Sequence, residues 1–147
     1  CMRQSIEDFL KSKKIVLVGY SENNKKFGNY IFKELNLRGF EVAVVSKSID
    51  SIEGNECFKN LKSAINISES LLICTKPEQT KLLLEEAIQN NYKYIWLQQG
   101  AENEEIIEFI KKNDIKAVYG KCILMYAEPV KSFHRFHRGI SKLMKTY

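Results

Sequence analysis

The sequence predicts an α/β domain: a three-layer sandwich around a doubly wound, five-stranded parallel sheet. Three observations predict it. Short β-branched or aromatic apolar runs recur along the chain, stretches with helical spacing of ~10–15 residues separate them, and no repeat or linker breaks the alternation. Strands that alternate with helices form βαβ units, whose strands pair in parallel through right-handed crossovers. The 147 residues suit one domain with its own core. A composition of 44% hydrophobic and 28% charged residues, with Pro 2 and Gly 7, excludes collagen-like, proline-rich and low-complexity chains.

Ile6, Phe9 and Leu10 give a short amphipathic opening helix. Ile15-Val16-Leu17-Val18 is a continuous apolar run ended by Gly19, the pattern of a strand buried on both faces. A polar loop from Tyr20 to Phe27 follows, and from Gly28 the positions Ile31, Phe32 and Leu35 predict a helix that Arg38-Gly39 stops. Val42 to Val45, Leu71 to Cys74, Tyr94 to Leu97 and Ile115 to Val118 read as strands two to five. Pro77 opens a helix at N1, where its missing N–H costs nothing, with Leu82, Leu83, Ala87 and Ile88 as the expected inner face. Another helix starts near Glu102 with Ile106, Ile107 and Ile110 inward; its acidic start and Lys111-Lys112 end suit the helix dipole. Residues 46–69 read either as a partial helix around Ser63-Ala64-Ile65 or as a loop covering the sheet.

Lys+Arg 23 against Asp+Glu 18 gives a net charge of +5, which suits phosphorylated small molecules as well as nucleic acid and selects neither. The cysteines at positions 1, 57, 74 and 122 form no CxxC pair, and His134 and His137 lie near only one of them, so no zinc site is expected. Cys74 falls inside an apolar run and reads as a buried reduced thiol. No apolar stretch reaches the ~18 residues a membrane helix needs, and residues 1–14 carry no signal pattern, so the expected setting is cytoplasmic.

In an open parallel sheet a ligand lies beyond the carboxyl ends of the strands, at the switch point beside the first. Gly19 there allows a tight turn, and Gly28 lets backbone or a phosphate approach the start of the next helix, whose free N–H groups attract anions. Lys25 and Lys26 add positive charge. The loop matches neither GxGxxG nor GxxxxGK[ST], so the two glycines serve either a ligand or only a turn and a packing contact. After strand two, an NAD site wants an acid; this chain has Ser46-Lys47-Ser48. Lys47 is either a contact for a ribose phosphate, which leaves NADP or coenzyme A, or a solvated surface lysine.

From these residues a resemblance emerges. Val18-Gly19-Tyr20-Ser21 with Gly28-Asn29-Tyr30 resembles the start of the small CoA-binding domains related to the succinyl-CoA synthetase alpha chain. The segment Glu53 to Leu61 is similar to that family's G-x-x-x-[YF]-x-[SN]-L stretch, and Thr75-Lys76-Pro77-Glu78 to its third strand exit. Trp96-Leu97-Gln98-Gln99-Gly100 is close to its W-L-Q-x-G signature, and Lys121-Cys122 to its R-C ending; the likeness spans roughly residues 10–125.

The resemblance implies a Rossmann-like fold over residues 1–128 that binds coenzyme A along the strand ends. By that resemblance, the loop residues Gly19, Tyr20, Ser21, Lys25, Lys26 and Phe27 line the site, with Ser21, Gly28 and Asn29 at the pyrophosphate. Ser46 and Lys47 fall near the adenosine phosphate, and Thr75, Lys76 and Pro77 line the adenine and ribose side. Gln98, Gln99 and Gly100 close the far wall, and Cys122 stands at the crevice edge. The chain departs from many members in having Ser46-Lys47 for Asn-Pro and no proline in the first loop.

No catalytic residue emerges. An acyl-CoA ligase needs a phosphorylatable histidine and a nucleotide-grasp domain, and both histidines fall in the tail. Cys122, next to Lys121, is the one candidate for a mixed disulfide with CoA, against a packing role behind strand five. The reading is therefore a non-catalytic CoA-binding module, with an NADP-binding reductase or redox sensor on the same fold as the alternative. Residues 129–147 read as a basic amphipathic helix, with Phe133, Phe136, Ile140, Leu143 and Met144 on its stripe. Packing on the domain or on a second subunit is preferred for it over an anionic membrane surface or nucleic acid.

Overall fold

The computed structural model describes residues 2–23 and 26–129. Helix α1 (Met2–Lys11) leads into β1 (Lys14–Val18), α2 (Phe27–Leu37) and β2 (Glu41–Val45). A two-residue hairpin, β3 (Ser51–Ile52) and β4 (Asn55–Glu56), precedes the single turn α3 (Leu61–Ala64). Then come β5 (Ser70–Ile73), α4 (Pro77–Gln89), β6 (Tyr94–Gln98), α5 (Glu104–Lys112) and β7 (Ala117–Lys121). The main sheet runs β2-β1-β5-β6-β7 with every pair parallel, which is the α/β, Rossmann-like architecture the alternation predicts. The tail from residue 130, with the helix expected there, lies outside the described residues.

Two cores sandwich the sheet. Ile15, Leu17, Leu72, Trp96 and Val118 point to the face covered by α1 and α2, with Phe9, Ile31 and Leu35. Val16, Leu71, Ile73, Ile95 and Leu97 point to the other, with Leu84, Ala87, Ile106 and Ile110. This strict alternation turns the apolar runs into strands buried on both sides. Trp96 anchors the first core, meeting Phe9 edge-on at 5.3 Å and donating its indole N–H to the Lys121 carbonyl at 3.0 Å. Arg38 closes the same core from the end of α2, donating to the carbonyls of Leu124 and Ala127 at 2.8 and 2.9 Å.

Four expectations change. Leu82 and Ile88 of α4 face solvent, at 73% and 47% exposure, while Thr80, Leu84 and Ala87 are buried. The inner face is set by Thr80, whose hydroxyl donates to the Ala101 carbonyl at 2.7 Å, so the stripe runs i, i+4, i+7 from a polar residue. Strand five begins at Ala117, not Ile115, because the Ile115 N–H still donates to Ile110 O and closes the end of α5. Strand β2 is only half buried along Val42-Ala43, as an edge strand. Between 46 and 69 there is both a hairpin and a helical turn.

Leu84→Ala is expected to cost ~2–5 kcal/mol by removing a fully buried side chain, and Leu82→Ala to stay within ~0.5 kcal/mol. Urea midpoints at unchanged slope measure both; equal effects overturn the assigned face.

Candidate functional site

The strand order reverses between β1 and β5, since β2 lies on one side of β1 and β5 on the other. A crevice of about 590 Å³ opens beyond the carboxyl ends of β1, β5 and β6, where open parallel sheets place ligands. Its near wall is the loop after β1 and the start of α2: Gly19, Tyr20, Ser21, Glu22, Lys26, Phe27 and Gly28. The floor is Cys74-Thr75-Lys76 with Gln79, and the far wall is Gln98-Gln99-Gly100-Ala101.

The near wall exists because three backbones meet without side chains between them. A Cβ on Gly19 (φ +120°) would stand 2.5 Å from the Cys74 carbonyl oxygen, and one on Gly28 would run into the Gly19 carbonyl oxygen. Asn29, buried, staples the loop to the helix: its Oδ1 accepts from the Ser21 N–H at 2.9 Å and its Nδ2 donates to the Ser21 carbonyl at 2.8 Å. Asn29 is thus placed behind the crevice wall, shaping the loop rather than facing the cavity.

Helix α2 starts at the crevice with Lys26 as N-cap, and α4 with Lys76; neither helix has a side-chain cap. The other two helices whose starts have side-chain caps, α3 and α5, use asparagine: Asn60 accepts from Ser63 N–H and Asn103 from Ile106 N–H. Asn, Asp, Ser and Thr are the residues a helix start ordinarily favours, and lysine is not. Both uncapped starts aim the positive ends of their dipoles, and a lysine each, toward the crevice.

Ser46 and Lys47 are not among the residues lining the cavity; Ser48 is. The Ser46 hydroxyl is occupied by its own turn, accepting from the N–H groups of Ser48 and Ile49 at 3.3 and 3.1 Å. Lys47 is exposed. Pro77 serves as the first residue of α4, and Cys122 packs against the Trp96 core, so neither lines the cavity. Lys25 lies outside the described residues. Three lining residues escaped the sequence reading: Glu22, Ser48 and Gln79. Gln79 carried no signal beyond its place in the first turn after Pro77.

Gln98 is 2% exposed. Its Oε1 accepts from the Ile123 N–H at 2.9 Å, which fixes the amide with the NH2 turned the other way. Cys74 is half-buried as a residue, and burial of its thiol pushes its pKa up to about 12, with Cys122 nearby adding to the rise. Among the described residues no group of three His, Cys, Asp or Glu could hold a metal ion, and no helix is long and apolar enough to cross a membrane.

Residues 13–128 match the model of the CoA binding domain family. A conserved hypothetical protein of Pyrococcus furiosus superposes with a TM-score of 0.69 at 36% identity, over 75% of this chain and 95% of its own. The Bacillus subtilis protein YneT is 26% identical over 113 residues, 77% of this chain and 84% of that protein. A Thermus thermophilus structure shares the fold at 22% identity, with a TM-score of 0.64 over 81% of this chain and 91% of its own.

The Cys74 thiol keeps its proton where a free thiol near 8.5 has lost it, so alkylation at pH 8 is expected ~10³-fold slower than for a free thiol. Because the folded pKa is the raised one, its stabilising contribution is complete below pH ~8.5 and declines from there to about 12. Peptide mapping after iodoacetamide treatment measures the rate, and Cys74→Ala should flatten the alkaline decline in stability.

Proposed function

We propose that this chain, which belongs to the CoA binding domain family, is a binding module that holds coenzyme A across the ends of β1, β5 and β6 without acting on it chemically. The observation that carries this reading is the pair of helix starts on the crevice, each with a lysine where a capping side chain is ordinarily found. Free N–H groups and a positive dipole end make each a place for an anion, and two side by side suit a diphosphate. Lys26 and Lys76 supply the countercharge; Glu22 is the one carboxylate among the lining residues.

The crevice then divides the ligand. Ser48 and, just outside the cavity, Lys47 lie toward β2 and suit the phosphorylated adenosine end. Binding without chemistry is supported by the state of Cys74, the one cysteine lining the cavity: a thiol held protonated to about pH 12 is a poor nucleophile toward a thioester or disulfide. Cys122 packs against Trp96 and its neighbours instead of lining the cavity, which removes support for a mixed disulfide there. Assembly through residues 129–147 stays part of the proposal, as a homo-oligomer formed by that segment's apolar stripe.

A calorimetric titration of the full chain is expected to give saturable heat with CoA in the micromolar range and none with matched NADP. Heat with NADP alone would overturn the reading in favour of a reductase. Lys26→Ala should weaken CoA and dephospho-CoA alike, whereas Lys47→Ala should weaken CoA by about two- to fivefold and leave dephospho-CoA unchanged, as for an exposed ion pair.

A further inference from the structure

The far wall of the crevice holds a group that neither the fold nor the helix starts account for. Gln98 is 2% exposed, lies on the cavity lining, and has its amide fixed by the Ile123 N–H donating to Oε1 at 2.9 Å. Its Nε2 is buried and has no hydrogen-bond partner. A buried amide NH2 left unpaired is costly, and native proteins rarely keep one without use. The orientation is not free to reverse, because turning the amide would set two donors, Nε2 and the Ile123 N–H, against each other.

The surroundings select what that donor meets. Lys26 and Lys76 stand beside the helix starts at the middle of the crevice, whereas the β6 end is lined by the neutral side chains of Gln98 and Gln99 with Gly100 and Ala101, and Gln79 faces them from α4. An uncharged, donor-bearing wall suits neutral carbonyl oxygens and gives a phosphate no countercharge. Coenzyme A has two ends beyond its diphosphate: a phosphorylated adenosine and an uncharged arm with two amide groups. With the diphosphate at α2 and the adenosine toward Ser48, the uncharged arm falls at β6.

We infer that Gln98 is a specificity-determining residue that donates its Nε2 hydrogen bond to an amide carbonyl of the ligand's pantetheine arm. The inference rests on the CoA reading above and adds to it that the protein distinguishes the complete cofactor from its nucleotide half. A site that holds a buried donor for a ligand carbonyl discriminates against analogues lacking that carbonyl, since the donor is then left unpaired.

The test compares CoA with adenosine 3′,5′-bisphosphate, which lacks the arm, by calorimetry on the full chain. Wild type is expected to bind CoA at least tenfold more tightly than the bisphosphate. Gln98→Glu keeps an acceptor for the Ile123 N–H and removes the donor; it should lose most of that preference while its bisphosphate affinity changes less than twofold. Gln98→Met, which adds no charge, should do the same. Unmutated protein labelled with ¹⁵N gives a readout that needs no folded variant: the Gln98 side-chain NH2 signals should shift with CoA and stay in place with the bisphosphate. Variants that keep the wild-type preference, variants that lose both ligands in proportion, or NH2 signals unmoved by saturating CoA would each overturn the inference alone. Silence of wild type toward CoA would instead overturn the CoA reading and this inference with it.

Discussion

The close approach of three bare backbones at Gly19, Gly28 and Cys74 is the constraint on which the site depends. The end of β1, the first turn of α2 and the end of β5 touch at distances that leave no room for a Cβ at either glycine. That contact locks the helix start against the sheet at the point where the strand order reverses. It also leaves the near wall made of peptide groups, so a ligand meets N–H donors before it meets side chains. Asn29 holds the loop in that shape by bonding both polar groups of the Ser21 backbone, a role that needs an amide, with an acceptor and a donor on one short side chain.

Much of this was legible in the sequence, and what was not has physical reasons. Continuous apolar runs such as Ile15 to Val18 and Leu71 to Ile73 announce strands because both faces are buried, so no alternation blurs them. The two glycines announce the switch-point loop for the same reason they are needed there. The face of α4 was obscured by three consecutive leucines, which fit more than one stripe, and by Thr80, whose burial depends on a carbonyl 21 residues away. The hairpin at Ser51 to Glu56 was too short for a periodicity, and its signal was only Glu53-Gly54, both with positive φ (50° and 84°), the demand of a tight two-residue turn.

The W-L-Q-x-G pattern shows the same division between pattern and role. Trp96 and Leu97 are core residues of opposite faces, and Gly100 (φ +101°) turns the chain toward α5. Gln98 stands in line with them, yet its amide acts on Ile123, which the chain reaches only after α5 and β7. Trp96 reaches the same segment through the Lys121 carbonyl, which the Gln99 N–H shares at 3.2 Å. Three consecutive residues of β6 thereby fasten the stretch after β7. Spacing alone shows that these residues belong together, and only the fold shows that they hold one edge of the crevice.

The same logic explains how a mild overall charge becomes a local one. A net +5 over 147 residues directs little by itself. Placing Lys26 and Lys76 at two helix starts that converge on one crevice, with no side chain consuming the free N–H groups, concentrates that excess where two dipoles already point. A capping residue contributes about 1 kcal/mol to a helix, so forgoing it at α2 and α4 leaves the free protein less stable than it could be. Asn60 and Asn103 show that caps occur where helices start away from the cavity lining. A bound diphosphate would fill both positions at once, so the stability withheld from the helices reappears as affinity for the ligand.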